Sequence, residues 1–136
     1  MLESIDETNG VAFLLIAEKD PHSPGFWRSF RLILEKLRQM EHIHSVIFSV
    51  DKLETFQSND IGEIDYALNF FGRHNFQVHL VTAEAAIKNP YGPPNNTSQA
   101  VGLIIEQPRY QSVIRHRHLS DAIVAAYPNP TKNAET

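Results

Sequence analysis

The chain contains no cysteine among its 136 residues. Disulfides, thiolate metal ligands and cysteine nucleophiles are therefore excluded. Long apolar runs are missing too, and none approaches the roughly 20 residues that a membrane-spanning helix needs. The opening Met1-Leu-Glu-Ser-Ile-Asp-Glu7 has neither a basic leader region nor an apolar one, so a cytoplasmic protein without membrane insertion is expected. In that setting the overlapping glycosylation sequons at Asn95 and Asn96 mean little. There is no excess of positive charge: 12 Lys and Arg stand against 16 Asp and Glu, a net of −4. That balance argues against a nucleic-acid partner. No Gly-x-Ser-x-Gly element marks a nucleophile, and no Gly-rich loop is built to cradle phosphate. Internal repeats and coiled-coil heptads are also absent.

What is present is an alternation of strands and helices. Val11 to Ala17 is an apolar strand, and Met1 to Ile5 reads as a short edge strand ahead of the Asn9-Gly10 turn. After the loop Lys19–Gly25, Ser23 and Pro24 have the character of a helix N-cap and first helical residue. Phe26, Phe30, Ile33, Leu37 and Met40 then form one stripe, widened by Trp27 and Leu34, which predicts a helix to about Glu41. Trp27 reads as core, or as an interface anchor if it faces outward.

Ser45-Val-Ile-Phe-Ser-Val50 is a strand covered on both faces. Ser58, Asn59 and Asp60 are capping residues, and Asp60 to Glu63 has capping-box spacing. Ile61, Ile64, Leu68 and Phe71 continue a helix that Gly72 is expected to end. Residues 76–82 form the next strand. A helical turn over 82–88, a loop over 89–98 and a short helix over 99–106 follow. A strand at 112–115 and a last helix from Ser120 or Asp121 to Tyr127 close the pattern. The fold class is thus α/β, one domain over residues 1–127 with a flexible tail at 128–136. A mostly parallel sheet of four to five strands carries helices packed against it.

Three stretches give this pattern a family likeness. They are Leu53-Glu-Thr-Phe-Gln-Ser-Asn-Asp-Ile-Gly-Glu-Ile64, Phe76-Gln-Val-His-Leu-Val-Thr82, and Ser112-Val-Ile-Arg115 with Leu119-Ser-Asp-Ala-Ile123. From Val11 to Ala126 the chain resembles a STAS domain, the fold of anti-sigma-factor antagonists and of sulfate-transporter C-terminal domains. The resemblance implies a non-catalytic regulatory module that binds a protein partner, such as a regulatory kinase, a sigma-pathway protein or a transporter component. It implies no cofactor and no enzymatic activity. The family's Asp-Ser-Ser/Thr-Gly turn is altered here to Gln57-Ser58-Asn59-Asp60, which puts Asn59 at the phosphoacceptor position. Ser58 could serve after a shift of one residue, although Asp60 and Glu63 would oppose a phosphate. Plain helix capping is the other reading of these residues.

The partner surface implied is the turn at Thr55, Gln57, Ser58, Asn59 and Asp60 with the outer face of the helix at Glu63 and Tyr66. Asp60, Glu63, Asp65 and Tyr66 are expected to form an acidic outer face, so Lys at 60 and 63 should abolish binding and leave the melting point unchanged. A second likeness is to the N-terminal part of crotonase-type acyl-CoA enzymes, through Gly10–Ile16, Ser45–Ser49 and Phe56–Glu63. It would make the chain a reduced enzyme or an acyl-CoA binder using backbone donors near Ser58. That family's glycine turn is replaced here.

Two further constellations bear on chemistry. His42 with His44, and His116 with His118, are i, i+2 pairs that share a face only in extended chain. No recognised zinc spacing completes them, so no metal is expected. Arg109, Arg115, His116, Arg117 and His118 form a basic cluster. Arg115 and Arg117 are candidates for an anion site, against the simpler reading of a solvated edge. Homodimerisation is left open.

Overall fold

Five short segments have the β-branched and aromatic content of strands, and in the computed structural model they form a single sheet. The structure describes residues 1–53, 58–82 and 112–127. The strands are β1 (Leu2–Asp6), β2 (Val11–Leu15), β3 (Ser45–Ser49), β4 (Gln77–Val81) and β5 (Val113–His116), and the order across the sheet is β1-β2-β3-β4-β5. β1 runs antiparallel to β2, whereas β2, β3, β4 and β5 are parallel neighbours. The protein is therefore an α/β domain with a mostly parallel sheet, as the alternating pattern predicts.

Among the described residues three helices cover the sheet: α1 (Phe26–Arg38), α2 (Ser58–Arg73) and α3 (Leu119–Ala126). Alternation along the strands decides which face each one meets. Val46, Phe48, Val78 and Leu80 point to one side, where they join Trp27, Phe30, Leu34, Leu37, Ile64, Leu68 and Phe71 of α1 and α2. Val11, Ile47 and Val81 point to the other side and meet Ala122 and Ala126 of α3. All five β3 residues are buried, because this strand lies at the centre of the sheet with cover on both faces.

The helix-rich face is held by an aromatic chain. Phe30 stacks on Phe48 at 5.6 Å between centroids, Phe48 meets Phe71 edge-on at 6.0 Å, and Phe71 meets Phe76 edge-on at 6.0 Å. Tilted and edge-on pairs of this kind add to the burial of their area.

Several local expectations are corrected. Ser23-Pro24 is a turn ahead of α1, with the Phe26 N–H donating to the Ser23 carbonyl at 3.1 Å. The N-cap is Gly25 at φ 75°, a left-handed conformation in which glycine carries no steric penalty. Gly72 lies inside α2, and the left-handed residue after that helix is Asn75 at φ 63°. Phe76 N–H then donates back to Phe71 O at 2.9 Å, a closure that drops the Phe76 ring beneath Phe71. Trp27 is buried, so it is core and not an outward anchor. The N-cap of α3 is His118, two or three residues ahead of the expected Ser120 or Asp121, and the edge strand β1 is present. The helical turn at 82–88, the loop at 89–98, the helix at 99–106 and the tail at 128–136 lie outside the described residues.

Gly10 fixes the turn between β1 and β2. Its φ is 70°, and a Cβ placed there would stand 2.5 Å from His44 Nε2 and 2.6 Å from the His42 carbonyl. That close approach lets the Gly10 carbonyl accept from both His44 and Ser45 N–H, at 3.0 and 3.1 Å.

Candidate functional site

Parallel strands present their carboxyl ends at one edge of a sheet, and helices that follow them point their N-termini there. In this chain that edge carries the ends of β2, β3, β4 and β5 together with the start of α2. β3 ends at Ser49, whose hydroxyl donates to Asp51 Oδ1 at 2.5 Å. β4 runs into Thr82, whose hydroxyl accepts from Arg115 Nε at 2.7 Å. In the loop after β2, Asp20 Oδ2 accepts from the Ala17 N–H at 2.7 Å and meets the Met1 amino group at 2.7 Å. Burial pushes the Asp20 carboxyl up, but these two hydrogen bonds and the positive charge outweigh it and hold it below the usual carboxylate value.

The first turns of α2 are bolted to α1. Asp60 Oδ1 accepts from the indole N–H of Trp27 at 2.9 Å, and Asp60 is only 5 % exposed. One turn on, the Glu63 carboxylate receives two parallel bonds from the Arg31 guanidinium, both at 2.9 Å. The same guanidinium lies 4.0 Å over the Tyr66 ring. A bidentate carboxylate pair and a cation–π contact from one arginine fix the helix-to-helix register. The bond to Glu63 raises Arg31 above its ordinary value.

This geometry overturns the expected acidic outer face. Asp60 is a buried acceptor, Glu63 is neutralised by Arg31, and Tyr66 is half-covered. The substitution of Asp60 by Lys would bury a cation against Trp27, so an unchanged melting point is no longer expected. The stripe that α2 does leave exposed is Asn59, Gly62, Asn69, Gly72 and Arg73, which is small and mostly neutral. Thr55, Gln57 and Phe56 lie outside the described residues. Ser58 is the first residue of α2. Of the basic cluster, Arg109 lies outside the described residues, Arg115 bonds Thr82, and His116 turns to the other face toward β4.

That last contact was not legible from spacing. His79 Nδ1 and His116 Nε2 are 3.0 Å apart, and the two rings stack with centroids at 5.2 Å. His79 is 1 % exposed, and among the described residues its Nε2 has no hydrogen-bond partner. Burial first, and the neighbouring His116 second, hold its pKa below the ordinary imidazole value. The available signal was a histidine inside an otherwise apolar strand, Gln77-Val-His-Leu-Val81. Among the described residues no group of three or more His, Asp or Glu side chains converges as a metal centre.

These features define a class: an open α/β domain whose strand-to-helix edge is rigidly braced. Compared with models of known protein families the chain matches none, and no curated protein matches it in sequence. Among the described residues no helix is long and apolar enough to cross a membrane.

Proposed function

We propose that this chain is a cytoplasmic, non-catalytic interaction module of STAS type, and that its protein partner docks on the exposed stripe of α2 beginning at Asn59. The observation that carries the reading is the bracing of the α2 N-terminus. Trp27–Asp60 and Arg31–Glu63 hold the first two turns in one position while Asn59 and Gly62 face solvent. A pre-positioned surface lowers the ordering cost of association. The strand order adds support. Open α/β sheets bind small ligands where strand order reverses, and here β2-β3-β4-β5 follow in sequence without a reversal.

The role of Ser58 follows from its place at the start of α2. A phosphate there is favoured by the helix dipole and would act on the partner's surface more than on the fold. Arg31 is already engaged by Glu63, so an added charge would not be absorbed by that arginine. Affinity capture with wild-type and Ser58→Asp baits tests the switch: a partner held by the first and released by the second is the expected result. Capture of the same partner by both baits would reduce Ser58 to a helix cap. A thermal-shift titration with an acyl-CoA ester tests the rival crotonase-like reading. No shift is expected, whereas a ligand at 100 times its dissociation constant would add about 2.7 kcal/mol.

A further inference from the structure

The histidine pair joins the β5–α3 end of the chain to the centre of the sheet. β5 is an edge strand of four residues and α3 a helix of eight. His79 sits one pleat below the end of β4, opposite Ile47 on one side and Ile114 on the other. His116 is the last residue of β5, two residues before the N-cap of α3.

With one proton between the rings, His79 Nδ1 can donate to His116 Nε2, and the buried Nε2 of His79 then carries only a lone pair. The other tautomer would leave a buried N–H donor unpaired, which folded proteins avoid. Adding a proton removes the good arrangement. Either His79 Nε2 becomes an unpartnered buried N–H, or His116 Nε2 gains a proton and the two donors face each other across 3.0 Å.

Among the described residues no carboxylate bonds to the pair to offset that positive charge. β2, β3 and β4 contain no acidic residue, and β5 contains none. Arg115 lies on the opposite face, bonded to Thr82, and Arg117 is exposed. On α3 the one acid is Asp121, which is exposed, and His118 at the N-cap is exposed as well. Asp51, beyond β3, is bonded to Ser49. At the far end of α3, Tyr127 bonds Asp6, whose carboxyl is held below its ordinary value and so stays ionised throughout mild acid.

We infer that the His79–His116 contact is a proton-operated latch, whose protonation in mild acid releases β5 and α3 from an otherwise intact sheet. Burial places the protonation of His79 below the usual imidazole range in the closed form, while the opened form titrates normally near 6.5. The latch is therefore fully closed above about pH 6.5 and weakens as pH falls below it. For each proton taken up on opening, the opening constant should rise by up to about tenfold per pH unit.

Amide hydrogen exchange on the full chain between pH 7.5 and 5 tests this, after correction for the intrinsic pH dependence of exchange. The expected result is a rising opening constant at residues 113–116 and 119–126, with α1 and α2 unchanged. His79→Leu removes the buried imidazole that takes up the proton on opening, so its opening constant should be flat with pH, and His79→Asn gives the same reading if His79→Leu fails to fold. His116→Phe keeps a stacked ring and removes the partner nitrogen, so its acid response should be weaker than that of the wild type but not absent, because His79 stays buried. A flat wild-type profile, or an undiminished acid response in the His79 or the His116 variant, would overturn the latch.

Discussion

The α1–α2 face of the sheet carries a continuous aromatic chain from Phe26 to Phe76, whereas the α3 face has a smaller cluster, Ala122 and Ala126 over Val11, Ile47 and Val81, ringed by half-buried Phe13, Leu119, Ile123 and Tyr127. The polar residues of the strands are distributed just as unevenly. Ser45, Ser49, Gln77, His79 and His116 share the α3 side with Asp6 and Tyr127, where they bond to one another in short local pairs. Ionic contacts on the other side lie at the outer surface of the helices, as in Arg31 with Glu63 and Arg38 with Glu35. The thick face fixes the position of α2. The thinner face attaches β5 and α3 through a smaller apolar cluster and through the histidine contact, which responds to protons. A stable platform and a releasable end are thus built on opposite sides of the same five strands.

Adjacent residues of β3 give the sharpest way to break this comparison. Phe48→Ala should cost about 3–5 kcal/mol in a denaturant titration, since Phe48 is fully buried between Phe30 and Phe71. Its neighbour Ile47 faces α3, and Ile47→Val should cost only about 0.5–1.5 kcal/mol. A small loss for Phe48→Ala would show that the aromatic chain is not the main support. Trp27→Phe should cost about 1–3 kcal/mol, because the buried Asp60 loses its indole donor. A loss well below that range would show that the indole bond to Asp60 contributes little to the bracing of α2.

The smallest effect belongs to the far end of α3. Burial, with the hydrogen bond to Asp6 adding to it, pushes the Tyr127 hydroxyl up to about 12. Its folded value lies above the ordinary 10, so whatever the contact contributes is present below pH 10 and is lost as pH rises toward 12. Ultraviolet titration should find a late-ionising tyrosine that Tyr127→Phe removes. The same variant should move the Asp6 carboxyl upward toward 3.8, because a donor is lost.

The repeating apolar periods were enough to read the layers. Phe30, Leu34 and Leu37 recur at helical spacing and fall on the sheet, and the short runs at 11–15, 45–49 and 77–81 are strands. Helix ends were less legible because tertiary contacts decided them. Phe76 has to reach beneath Phe71, so the chain reverses at Asn75, while Gly72 stays helical. Asp60 reads as a solvent-facing cap by local rules, but Trp27 stands 33 positions earlier in the chain, and no local rule reveals that bond. The histidine pair is hidden for the same reason. His79 and His116 meet only because β4 and β5 are neighbours, whereas spacing alone had paired His116 with His118.

The central claim is that the braced α2 stripe receives a protein partner, and Gly62→Arg tests it most directly. Gly62 is exposed, sits in helical conformation, and a Cβ there meets nothing within 4 Å. Replacing a helical glycine should leave the fold intact or raise its stability slightly. The measurement is quantitative capture from lysate with wild-type and Gly62→Arg baits, alongside the melting temperature of each. The account predicts a partner bound by the wild type and lost by Gly62→Arg, with no fall in melting temperature. The same partner retained at equal strength by both baits, or no protein partner for either, would contradict it.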